Sequence, residues 1–263
     1  MPQMTSYEPG TPSWVDLSTP NLKEAEVFYG DLFGWEAHAA PGPEAGGYTF
    51  FTLGGGGGLE IAGAMPLSGD DQPSAWTTYV SVRDVDETAR AAQAAGGQVL
   101  VAPVDVMGQG RMAVFADPQG AVIAAWQPMA FQGAALIDEV NTYCWSELAS
   151  RDIEAAKAFY PKVFGWQPDT RAFGTSSYTE WHADGRSVAG MVQMDDQWPE
   201  DVPAHWAVYF AVTDCDAVAA RTVELGGSIA WPPTDIPVGR FAVLDDPMDA
   251  HFSVIRLTES GAG

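Results

Sequence analysis

The chain has 263 residues, 46% of them hydrophobic, and carries a net charge of −23 from 35 acidic against 12 basic side chains. That composition excludes a disordered chain and argues against nucleic acid or an anionic membrane as a partner. Cys144 and Cys215 form no disulfide framework, no apolar run nears the roughly 20 residues of a bilayer span, and the N-terminus lacks a basic-then-apolar leader, so a cytoplasmic protein is expected. Residues 12–18 alternate, Val15 and Leu17 against Trp14 and Asp16, as a strand does. A helical period follows over 21–33 (Leu22, Ala25, Phe28, Tyr29, Leu32, Phe33), with Asn21 as N-cap and Gly34 as stop. Strands are expected at 48–53 and 59–65, joined by the glycines 54–58, which read as a flexible turn. A second strand–helix–strand run covers 77–82, 85–95 and 98–102, the helix ended by Gly96-Gly97. Residues 111–115 and 121–126 form a hairpin over Asp117-Pro118-Gln119-Gly120, where glycine supplies a positive φ.

The pattern then starts again. Trp14-Val-Asp-Leu17 returns as Trp145-Ser-Glu-Leu148, 131 positions later (145 − 14). Phe28-Tyr29 returns as Phe159-Tyr160 and Phe33-Gly34-Trp35 as Phe164-Gly165-Trp166. Trp76, Tyr79, Val82 and Asp84 match Trp206, Tyr209, Val212 and Asp214; Gly110-Arg111 matches Gly239-Arg240, and Asp117-Pro118 matches Asp246-Pro247. In copy two the hairpin glycine becomes Asp249, one of the few other residue types that tolerates that geometry. The chain therefore reads as an α+β protein of two tandem copies, residues 1–130 and 131–263, each with two βαβββ modules. Residues 131–135 read as a linker between them.

With Asn21-Leu22, Phe28-Tyr29, Leu32-Phe33-Gly34-Trp35 and the Asp117-Pro118 hairpin, repeated in copy two, the sequence resembles the vicinal oxygen chelate superfamily of glyoxalase I, bleomycin-resistance proteins and extradiol dioxygenases. The resemblance spans residues 11 to 257 and implies open, U-shaped mixed sheets with helices outside. In metal-dependent members, His, Gln or Glu ligands come from the first and last strands of the modules. The matching positions here hold Trp14 and Trp145, Thr77 and Ala207, Ala124 and Ser253, and Glu60 with about Ser187. One carboxylate cannot supply the three or so converging donors that a catalytic divalent ion needs, so neither a metal nor another cofactor is expected.

Trp14 and Trp145 put flat apolar surfaces where ligands would be, either to fill a cavity or to stack a planar molecule. Tyr79 and Tyr209 share the parity of Thr77 and Ala207, which suggests two symmetry-related aromatic pockets. Asp16 and Glu147 follow the tryptophans on the same face, as solvated strand ends or as ligand acceptors. If buried, they would be carboxylates of raised pKa able to act as bases. His251 has the parity of Ser253, and His205 that of Ala207 and Tyr209. Each is a structural histidine, an acid/base, or, with Glu60, part of an unconventional metal site. Arg111 and Arg240 recur as fold residues and are expected to pair with Asp117 or Asp246. Glycines 54–58 lack the Lys-Ser/Thr of a phosphate loop.

The reading that follows is metal-independent binding of a hydrophobic, aromatic small molecule of natural-product or antibiotic type. The role would be sequestering or auxiliary, in secondary metabolism or resistance. The alternatives are a lyase, isomerase or hydroxylase-type enzyme using Asp16, Glu147, His205 or His251, and a partner-binding protein with filled cavities. Because single-copy relatives commonly dimerise to complete their sites, a monomer acting as a fused pseudo-dimer is expected, with a dimer as the alternative.

Overall fold

The alternation at the start of copy one becomes β1 (Pro12–Thr19), and the helical period becomes α1 (Leu22–Phe33). Asn21 caps α1 by accepting from the Glu24 amide, and Gly34 ends it at φ 75°. The first module continues with β2 (Glu36–Ala39), β3 (Thr49–Leu53) and β4 (Leu59–Pro66). The second holds β5 (Ala75–Ser81), α2 (Val85–Ala94), β6 (Gln98–Val106), β7 (Gly110–Ala116) and β8 (Val122–Pro128). Copy two repeats the order: β9 (Tyr143–Ser150), α3 (Ile153–Phe164), β10 (Gln167–Phe173), β11 (Ser176–Ala183), β12 (Arg186–Gln193), β13 (His205–Ala211), α4 (Cys215–Glu224), β14 (Ser228–Ile236), β15 (Gly239–Asp245) and β16 (His251–Leu257). This computed structural model describes residues 3–55, 57–69, 72–173, 176–196 and 198–258. Gly56 of the glycine run lies outside the described residues.

Each copy forms one eight-stranded mixed sheet, in the order β2-β3-β4-β1-β5-β8-β7-β6 and its equivalent β10-β11-β12-β9-β13-β16-β15-β14. The first strand of each copy is central: β1 runs parallel to β4 and antiparallel to β5. Because successive residues face opposite sides, Val15 and Leu17 enter the core on one face while Trp14 joins a separate cluster on the other.

The four helices cover the faces on which the two sheets meet, α1 beside α4 and α2 beside α3. Each core is built from both copies. Phe28, Tyr29, Phe33 and Trp35 pack with Phe210, Phe252 and Val254, while Phe115 and Ile123 pack with Phe159, Tyr160, Trp166 and Trp181.

Two matched hydrogen-bond relays fix this association. Tyr29 accepts from Trp76 Nε1 (2.9 Å) and donates to Asp246 Oδ2 of the other copy (3.2 Å). Tyr160 accepts from Trp206 Nε1 (2.9 Å) and donates to Asp117 Oδ2 (3.1 Å). Asp117 and Asp246 also accept from the amides of their own hairpins, at Gln119 and Ala121 and at Met248 and Ala250. Buried and saturated in this way, they leave nothing for the arginines. Contrary to expectation, Arg111 pairs with Asp86 and Asp105, and Arg240 with Asp216 and Asp235. The indole nitrogens of Trp35 and Trp166 donate across the copies to the carbonyls of Asn141 (2.8 Å) and Gly10 (2.6 Å). Five tryptophans (35, 76, 166, 181 and 206) thus belong to the inter-copy core, so half of the chain's ten tryptophans report on the fold and not on a cavity.

Candidate functional site

On the opposite, concave face of each sheet the same four-residue cluster occurs. In copy one, Trp14 Nε1 donates to the Tyr48 hydroxyl (2.8 Å), which donates to Asp16 Oδ2 (3.3 Å). Tyr79 also hydrogen-bonds Asp16. In copy two, Trp145 Nε1 donates to the Tyr178 hydroxyl (3.0 Å), and Tyr209 donates to Glu147 Oε1 (2.9 Å), which Tyr178 bonds as well. Burial disfavours the charged carboxylate and pushes Asp16 up to about 7, although both tyrosine hydroxyls pull the other way. Glu147 is raised for the same reason, against Tyr178 and Tyr209.

Tyr48 and Tyr178 did not stand out in the sequence, although they occupy equivalent places, 130 positions apart (178 − 48). Two glycines make room for them. Gly63 is the β4 partner of Asp16 and Gly190 the β12 partner of Glu147, and a Cβ at either would collide with the phenol oxygen lying over it. The sequence signal was the recurrence of Tyr and Gly at matched offsets.

The remaining positions surround the carboxylates as strand parity indicated. Half-buried Thr77 and Ala207 are the β5 and β13 partners of Asp16 and Glu147. Buried Ala124 and Ser253 are the partners of Tyr79 and Tyr209. Glu60 is half-buried opposite Thr52, beyond a bulge in β4, and burial raises its pKa. Ser187 is exposed.

The two symmetry-related faces differ in what covers them. In copy one, Phe131 stands edge-on over Trp14 with ring centroids 4.8 Å apart, and Phe50 closes the third side. The Phe131 carbonyl accepts from Trp126 Nε1 (3.0 Å), and the Ala134 and Ala135 amides donate to the carbonyls of Ser13 and Glu60 (2.8 and 2.7 Å). Tyr7 bonds the Ala134 carbonyl (2.7 Å). The segment read as a linker is therefore a plug, and Trp14 and Asp16 are only 4% and 3% exposed. In copy two, Trp145, Glu147, Tyr178, Phe241 and Val243 are all half-buried, and Trp231 is 53% exposed at the rim. Among the described residues no aromatic ring packs on Trp145.

Residues 11–125 and 136–252 each match the Glyoxalase/Bleomycin resistance protein/Dioxygenase superfamily. The chain belongs to that superfamily. It is 41% identical over 272 residues to the anthracycline biosynthesis protein DnrV of Streptomyces peucetius, covering 97% of this chain and 96% of that protein. CFP32 of Mycobacterium bovis (strain ATCC BAA-935 / AF2122/97) is 40% identical over 259 residues, with 97% and 98% covered. Among solved structures, the Mn(II)-bound glyoxalase from Novosphingobium aromaticivorans superimposes with a TM-score of 0.64 at 15% identity, over 94% of this chain and 82% of that one; at this identity the likeness is one of fold.

The residues present do not fit the metal of metal-dependent superfamily members. Among the described residues no three His, Cys, Asp or Glu side chains converge. Each carboxylate is ringed instead by two phenols that hydrogen-bond it, a glycine without a side chain, and an indole whose N–H can only donate, so among the described residues no second carboxylate, imidazole or thiolate stands beside it. Glu60 lies on the other copy's sheet from His205 and His251, so those three do not assemble. His251 is exposed and pairs with Asp245, which raises its pKa. His205 is half-buried, its pKa lowered by burial, with Nδ1 2.9 Å from the Pro203 carbonyl. Cys144 and Cys215 donate to backbone carbonyls, and burial raises both thiols away from the reactive thiolate form.

Proposed function

We propose that the concave face of copy two binds a planar aromatic small molecule without a metal ion, and that copy one serves as its scaffold. The observation that carries this reading is the pair of matched clusters, one plugged by Phe131 and the other open. The Trp145 ring offers stacking surface, and Phe241 and Val243 an apolar floor; an aromatic contact of this kind contributes about 0.5–1.5 kcal/mol beyond burial. Glu147 and Tyr209 supply the few polar groups that orient a ligand in an otherwise apolar site. The kinship with DnrV, named for anthracycline biosynthesis, supports a polycyclic natural product as the ligand and an auxiliary or sequestering role in secondary metabolism. No helix among the described residues is long and apolar enough to cross a membrane. The fused copies, residues 1–130 and 131–263, are proposed to act as one cytoplasmic monomer.

The test is a titration of the protein with an anthracyclinone, followed by tryptophan fluorescence with and without a chelator. We expect saturable quenching that EDTA leaves unchanged and that Trp145→Ala weakens at least tenfold. Binding that requires added metal, or that Trp145→Ala leaves intact, would overturn the proposal.

A second reading is supported by the position of Glu147, a carboxylate of raised pKa on the open face, suited to accepting a proton from a bound ligand. Turnover that survives chelation and disappears in Glu147→Gln would establish it.

A further inference from the structure

Around the small side chain of Ala207, copy two adds a histidine that copy one lacks to the carboxylate and tyrosine that both copies share. Glu147 is the cross-strand partner of Ala207 on β9, and Tyr209 and His205 follow and precede it on the same face of β13. At the place of His205 copy one has Ala75, and at the place of His251 it has Val122. The copy-two face is therefore not merely the uncovered version of the copy-one face. It also has a second polar end.

His205 is held in one chemical form. A neutral imidazole has one N–H and one lone-pair nitrogen, and the hydrogen bond made by the first decides which is which. With Nδ1 2.9 Å from the Pro203 carbonyl, which can only accept, the proton is on Nδ1. Nε2 is then an acceptor, and among the described residues it has no partner. Trp198 flanks the imidazole, ring centroids 6.1 Å apart and planes tilted by 56°, so the acceptor lies beside a second flat apolar wall. His251 does not take this place, because its pairing with Asp245 favours the protonated imidazolium, whose Nε2 donates and does not accept, and its side chain is 70% exposed.

We infer that His205 is a specificity-determining residue of the copy-two site, accepting a hydrogen bond through Nε2 from a hydroxyl on the ligand's ring edge. The ligand class this selects is a planar polyphenol or hydroxyquinone, stacked between Trp145 and Trp198 over Ala207, with one edge at Glu147 and Tyr209 and the hydroxylated edge at His205. The inference rests on the proposed binding function and adds which molecules the face prefers. A site with a waiting acceptor discriminates against an analogue that lacks the hydroxyl, because the acceptor is then desolvated without a partner.

The experiment compares two probes of one ring system, 2,6-dihydroxyanthraquinone, whose hydroxyls lie out of reach of the quinone carbonyls, and unsubstituted 9,10-anthraquinone, on the wild type and on His205→Ala and His205→Gln. The wild type is expected to bind the dihydroxy compound about tenfold more tightly. His205→Ala should bring the two affinities within about twofold by weakening only the dihydroxy compound, and His205→Gln, whose amide oxygen can still accept, should restore part of the preference. Circular dichroism matching the wild type excludes unfolding as the cause, and His205→Gln serves as the informative variant should His205→Ala be unstable. A preference that persists unchanged in both variants, or wild type that binds the two probes equally, overturns the role of His205 while leaving the aromatic face as the binding site. Wild type that binds neither probe overturns the binding function itself, and this inference with it.

Discussion

The concave faces of the two copies begin from the same parts: a tryptophan donating to a tyrosine, a carboxylate held by that tyrosine and a second one, and a glycine beneath. In copy one the face has become core, sealed by Phe131 and anchored through Trp126 and Ala134. In copy two it stays open and acquires Trp198, His205 and Trp231 along its border. One face is sealed into the core and the other is left half-exposed, and the proposed division of roles between the copies rests on that difference. A cluster matched in its hydrogen bonds is thus buried in one copy and half-exposed in the other, according to what lies over it.

That division is open to attack first where its energetic consequence is largest. Trp14→Ala removes an almost fully buried indole and should destabilise the chain by about 3–5 kcal/mol, whereas Trp145→Ala, on a half-covered face, should cost under about 2 kcal/mol. Equilibrium urea denaturation of the two variants measures the contrast, and equal losses would mean that both faces are equally filled.

The next effect is one of pH. Folded Asp16 titrates at about 7 against its ordinary 3.8, so between those values the folded chain keeps a proton that the unfolded chain has released. Its contribution is fully present below about pH 4 and is lost as pH rises through 7, on the order of 4 kcal/mol at most. Asp16→Asn should therefore gain stability relative to wild type on going from pH 4 to pH 8, in thermal melts at matched salt. A stability difference that does not change with pH would place Asp16 in a more solvated setting than this fold gives it.

A smaller effect sharpens the comparison. Phe131→Ala should cost about 1–3 kcal/mol, since the ring is only half-buried, and it should uncover Trp14 and Tyr48. Probe stoichiometry should then rise from one per chain toward two. Smallest is Tyr209→Phe, which removes the hydroxyl that donates to Glu147. It should cost about 1 kcal/mol and weaken probe binding only a fewfold.

Much of the fold was legible in the sequence because its signals are local and doubled. The alternation in 12–18, the cap at Asn21, and the repeat of Phe-Tyr and Asp-Pro are set by geometry within a few residues. Short β2 was missed, as four mostly exposed edge residues carry no alternating pattern. Strand parity placed Asp16, Glu147, Tyr79 and Tyr209 on the concave face with the tryptophans. It could not show that Tyr48 and Tyr178 reach over Gly63 and Gly190, since strands distant in sequence meet there. Nor could it show that residues 131–135 cross one face and not the other. The expected pairing of Arg111 with Asp117 failed for a similar reason: the partner that claims Asp117 is Tyr160, 43 residues away. Proximity in sequence favoured the arginine, and burial favoured the phenol.

The division of roles is tested most directly by counting bound molecules. Calorimetric titration of wild type, Trp14→Phe and Trp145→Ala with a soluble anthracyclinone gives stoichiometry and affinity together. The account predicts one molecule per chain in the wild type and in Trp14→Phe, and at least tenfold weaker binding in Trp145→Ala. Two equivalent molecules per chain, or binding that survives Trp145→Ala and is lost in Trp14→Phe, would contradict it.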